Sequence, residues 1–66
     1  MEKLKEFRKG KKLSQKSMAK LLGITLSMYE KVESGRVGAS AAFMRRFKLK
    51  FPDQSVDDIF FASHQQ

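Results

Sequence analysis

The sequence predicts an all-α domain of five short helices, and three observations carry that reading. Apolar residues recur at i, i+3 and i+4 spacing in five separate stretches, and no stretch longer than a few residues alternates as a strand would. Four of the stretches follow a hydroxyl residue suited to capping a helix N-terminus: Ser14, Thr25, Ser40 and Ser55. Glycines and Pro52 fall where the helices must stop.

Taken in order, helix 1 is expected from about Glu2 to Lys9, with Leu4 and Phe7 on one face and Gly10 near its end. Helix 2 follows Ser14 and turns Met18, Ala19 and Leu22 inward; Gly23 then supplies the left-handed residue that a helix C-terminus needs. Helix 3 follows Thr25, with Tyr29 and Val32 inward and Leu26, Ser27, Glu30 and Lys31 outward. Gly35-Arg36-Val37-Gly38 forms the next loop. Ser40 caps helix 4, whose buried face is Phe43, Met44, Phe47 and Phe51, read as packing; Pro52 forbids further helix. Ser55 opens helix 5, with Asp57 and Asp58 opposing the positive end of its dipole and Asp58 placed to complete a capping box. Val56, Ile59 and Phe60 form its apolar side. Residues 1–61 are thus expected to form the domain, and 62–66, ASHQQ, a frayed tail.

Sixty-six residues make one domain, small enough that only about 60% of the unfolded chain's surface is buried. With no cysteine, neither a disulfide nor a thiolate metal site reinforces the core. No apolar run approaches the roughly 18 residues of a membrane span, and MEKLKEF does not read as a signal peptide, so a soluble, cytoplasmic protein is expected. An enzyme is excluded on inventory. The only histidine, His64, lies in the tail, and there is no glycine-rich phosphate loop or zinc-ligand spacing. No catalytic residue, metal, cofactor or small-molecule ligand is therefore expected.

The net charge is +7 and the isoelectric point about 10.1, above the value of roughly 9 that suggests a nucleic-acid partner. All 14 Lys and Arg lie between Lys3 and Lys50 against four acids, Glu2, Glu6, Glu30 and Glu33, a balance of +10. Residues 51–66 carry three aspartates and no Lys or Arg. The basic part contains SQKSMAKLLGITLSMYEKVESG, Ser14 to Gly35: two helices of about two turns joined by a short turn containing glycine. That is a helix-turn-helix, which places its second helix in the major groove of double-stranded DNA.

Five elements in order, LKEFRK, LSQKSMAKLLGIT, YEKVESG, SAAFMRRF and SVDDIFF, resemble the DNA-binding domain of phage repressors and Cro proteins, the xenobiotic-response-element type of helix-turn-helix, from Leu4 to Phe61. The resemblance implies a lambda-repressor-like five-helix fold. It also implies roles: Leu26, Ser27 and Lys31 facing base edges, Gln15, Thr25 and Arg36 on DNA phosphates, and Arg8 with Glu33 as a structural ion pair bridging helices 1 and 3. An exposed leucine at the start of the recognition helix suits a thymine methyl group. Three positions depart from the family pattern. Lys12 stands where relatives often have glycine, Ala39 where proline commonly stiffens the loop, and Leu26 where a polar base reader, often glutamine, is usual.

The resemblance implies a sequence-specific transcriptional regulator, a Cro-like or repressor-like protein of a phage or mobile element, acting on palindromic operators in the nucleoid. A homodimer is expected, with contacts at Val37, Gly38, Ala39, Phe60 and Phe61, because relatives pair two half-sites about 34 Å apart. Two rival readings stand beside this one. The first is a protein-interaction module on the same fold, such as an antitoxin or anti-repressor, supported by Leu49 and Phe61 as exposed apolar groups. The second is non-specific binding to RNA or anionic membrane, which needs no recognition helix.

Overall fold

The computed structural model describes residues 1–61; the expected tail and His64 lie outside the described residues. The chain forms α1 (Glu2–Gly10), α2 (Gln15–Leu22), α3 (Leu26–Glu33), α4 (Ala41–Lys50) and a short π-type segment, α5 (Asp57–Phe61), with no strand among the described residues. The fifth element thus has wider turns than the expected α-helix, and it carries both Ile59 and Phe60 into the core.

The helix starts follow from side-chain capping. Ser14 Oγ accepts from the Ser17 N–H at 3.0 Å, Thr25 Oγ1 from Met28 at 3.1 Å, Ser40 Oγ from Phe43 at 3.1 Å and Ser55 Oγ from Asp58 at 3.2 Å. Each bond satisfies an amide that has no partner within its helix.

The first three helices end in one way. After α2, Gly23 is left-handed (φ +72°), its N–H bonds Lys20 O, and the next N–H, that of Ile24, bonds Ala19 O. Gly35 (φ +85°) ends α3 alike, through Val32 O and Lys31 O. After α1 the left-handed residue is Lys12 (φ +60°), with Lys12 N–H on Lys9 O and Leu13 N–H on Arg8 O. Gly10 lies inside α1 and does not perform this turn. The missing glycine at position 12 is therefore a strained site, since a side chain there crowds its own carbonyl.

The core is largely aromatic. Phe47 is fully buried and lies 5.2 Å from Phe7, 5.2 Å from Phe51 and 5.3 Å from Phe60, ring centre to ring centre. Phe43 packs edge-on against Phe60 at 5.9 Å and near-parallel to Tyr29 at 6.2 Å. Such pairs add about 0.5–1.5 kcal/mol to the burial of the rings. Phe60, expected at a dimer contact, packs into the core of the single chain and is 5% exposed there. The adjacent Phe61 takes the surface position.

Candidate nucleic-acid interface

Thr25 starts α3 and the core sets its roll. Tyr29, Val32 and Glu33 face inward, while Leu26, Ser27, Glu30 and Lys31 are exposed. At 38% exposure Leu26 does not fold back onto the core. Met28 is also exposed and lines an apolar groove with Val37 and Ala42. It sits on the flank of α3, a position that the two inward residues alone did not mark.

Gln15, the first residue of α2, is half-buried, and its Nε2 donates to Glu33 Oε1 at 2.9 Å. An amide nitrogen carries two hydrogens, so one is fixed by Glu33 and the other remains for an outside acceptor. Thr25 accepts from Met28 and keeps its own O–H to donate. Arg36 is exposed, and the loop that carries it is held by its N–H on Lys31 O at 2.9 Å and the Val37 N–H on the same oxygen at 3.2 Å. The first turns of α2 and α3 add the partial positive charge of their free amides.

Glu33 organises this region. Arg8 Nε donates to Glu33 Oε2 at 2.7 Å and Arg8 Nη2 to Oε1 at 3.1 Å, a forked pair. Tyr29 Oη donates to Oε2 at 2.6 Å, so with Gln15 each carboxylate oxygen accepts twice. Arg8 Nη1 also reaches Leu13 O at 2.7 Å, joining the loop after α1 to the same centre. Burial pushes the Glu33 carboxyl up, but the hydrogen bonds from Arg8, Tyr29 and Gln15 outweigh it and hold the group below the ordinary value of 4.5. The hydrogen bond to Glu33 raises Arg8 against the opposing effect of burial, and burial followed by the Glu33 contact raises Tyr29. The Tyr29–Glu33 contact was legible as an i, i+4 pair on one helix; the Gln15–Glu33 contact had no local signal.

Among residues 14–36 the acids are Glu30 and Glu33 alone. With Glu33 neutralised by Arg8, Glu30 is left against the exposed Lys16, Lys31 and Arg36, and the face is electropositive. Val37 (39% exposed) and Gly38 stand at the surface beside it, Ala39 is half-buried against the core, and Phe61 is 37% exposed. Among the described residues no helix is long and apolar enough to cross a membrane, and no cluster of His, Cys, Asp or Glu is arranged to hold a metal ion.

Comparison with curated proteins gives no match, and neither does comparison with solved structures. Residues 4–47, most of α1 through most of α4, match the helix-turn-helix family, a DNA-binding family and not an enzyme family. With an all-helical, lambda-repressor-like fold and an electropositive face around α3, the chain belongs to the helix-turn-helix family of DNA-binding regulators, of the Cro and phage-repressor type.

Proposed function

We propose that the protein is a sequence-specific repressor of the kind carried by phages and mobile elements, and that it binds a palindromic operator as a homodimer. The observation that carries this reading is the outward face of α3, where Leu26, Ser27 and Lys31 stand exposed beside a half-oriented Gln15 amide. Lys31 donates to guanine O6 or N7, Leu26 meets a thymine methyl, and Ser27 bonds either base edge. Gln15, Thr25 and Arg36 hold phosphates, which fixes the register of α3 without reading sequence. Two copies meet through the loop at Val37, Gly38 and Ala39, with Phe61 in place of Phe60, and set two recognition helices about 34 Å apart. Such a protein acts on the nucleoid, in the cytoplasm.

Selection of bound fragments from random duplex DNA tests the reading. The expected product is an inverted repeat whose half-site centres lie about one helical turn apart. Sedimentation on that duplex should give two chains per site. Failure to enrich any sequence overturns the specific regulator, and one chain per site at saturation overturns the dimer.

A further inference from the structure

Leu21 and Leu49 are exposed, at 40% and 81%, and neither belongs to the surfaces assigned above to DNA or to a second copy. Leu21 lines a cleft of about 360 Å³ between the flank of α2 and the end of α4, together with Leu13, Ser17, Lys20 and Lys50. Arg46 Nη1 bonds Leu22 O at 3.1 Å, which joins α4 to the end of α2 one turn before Leu49. None of the six residues proposed to touch DNA lines the cleft.

The charge around the cleft has one sign. Between Glu6 and Glu30 the chain has no acid, and none occurs from Ala39 to Pro52. The one ion pair among the described residues is Arg8–Glu33, so Lys20 and Lys50 face the cleft with no carboxylate of their own chain. A leucine-lined floor with two un-neutralised ammonium groups at its edge complements apolar side chains flanked by carboxylates. A second copy does not supply them: its acidic pair Asp57 and Asp58 is followed by Ile59 and Phe60, both held in the core. Nucleic acid would satisfy the lysines and leave the leucines in water.

We propose that this cleft docks an acidic, leucine-bearing helical segment of a partner protein, and that it does so while α3 occupies DNA. The mode is a helix in a groove, with anchors at i and i+4 and carboxylates on Lys20 and Lys50. It does not depend on which bases α3 reads.

The test uses the full chain and a fluorescein-labelled helical peptide of leucine and glutamate, with leucines at i, i+4 spacing, against a scrambled peptide of the same composition. Anisotropy should show binding of the patterned peptide, weakened about tenfold or more by Leu21→Ser, a loss typical of one apolar anchor. Lys50→Glu, an exposed position that does not threaten the fold, should weaken it similarly, while Lys9→Glu, exposed on α1 outside the cleft, should leave it near the native value. Saturating duplex DNA should not displace the peptide. Any of four results overturns the proposal: no binding by the native chain, equal binding of the scrambled peptide, equal effects of Lys9→Glu and Lys50→Glu, or displacement by DNA.

Discussion

Replacing Glu33 by alanine should remove most of the stability of this domain. The substitution deletes the acceptor of two Arg8 bonds, the Tyr29 hydroxyl and the Gln15 amide, and leaves a guanidinium 8% exposed with Leu13 O as its remaining partner. Stranding a buried charge costs roughly 3–5 kcal/mol. A chain of 66 residues has roughly 3–10 kcal/mol in total at the usual stability per residue. At about 4–8 °C per kcal/mol the melting temperature should fall by at least ~12 °C. Arg8→Ala should be milder, because the carboxylate keeps the Tyr29 and Gln15 donors. The triple change Arg8→Met, Tyr29→Phe, Glu33→Leu should recover most of the loss, since apolar groups of similar size need no partner. Thermal and urea melts followed by circular dichroism measure each step, with Arg8→Ala and Glu33→Ala also combined as a double-mutant cycle. Additive losses in that cycle would refute the coupling of the pair, and with it the role given to Glu33.

The same group sets an acid limit. Because the folded Glu33 pKa is depressed, its contribution is complete above the ordinary value of 4.5 and is lost as pH falls through the folded value, so native stability should drop in that acid range. A pH series of melts on Glu33→Gln should lack that segment of the decline. Lys12→Gly should stabilise by up to about 1–2 kcal/mol by relieving the left-handed lysine, and Gly10→Ala by roughly 0.5–1 kcal/mol, since a Cβ there meets nothing within 4 Å; urea midpoints report both. Gly23→Ala should destabilise instead, because its φ is +72° and its Cβ would lie 2.7 Å from Arg46 Nη1. On DNA, Lys31→Ala should relax discrimination at one base pair by about 1–3 kcal/mol, whereas Gln15→Ala should weaken all duplexes alike with the salt slope nearly unchanged. Affinities for the selected site, its single-base variants and unrelated DNA at two salt concentrations separate the two. A uniform loss with a flattened salt slope for Lys31→Ala would make it a phosphate ligand.

Helix existence, the four capped N-termini and the outward face of α3 were determined by the sequence itself, because capping and 3.6-residue periodicity act over three or four residues and need no knowledge of the rest of the chain. The Arg8–Glu33 pair was accessible by resemblance, not from spacing, and Tyr29–Glu33 was available as a local pair that the hydrophobic pattern obscured. Tertiary structure alone decided the remainder. Gln15 meets Glu33 across 18 residues and Arg46 reaches Leu22 O across 24, distances at which pattern says nothing and only the packing of whole helices sets the outcome. Local pattern marks Phe60 and Phe61 equally as apolar; the roll of the five-residue closing segment puts the first against Phe43 and Phe47 and leaves the second at the surface. Lys12 likewise became left-handed because Leu13 must bond Arg8 O and Arg8 must reach Leu13 O in return, a closure imposed by where α1 lies against α3.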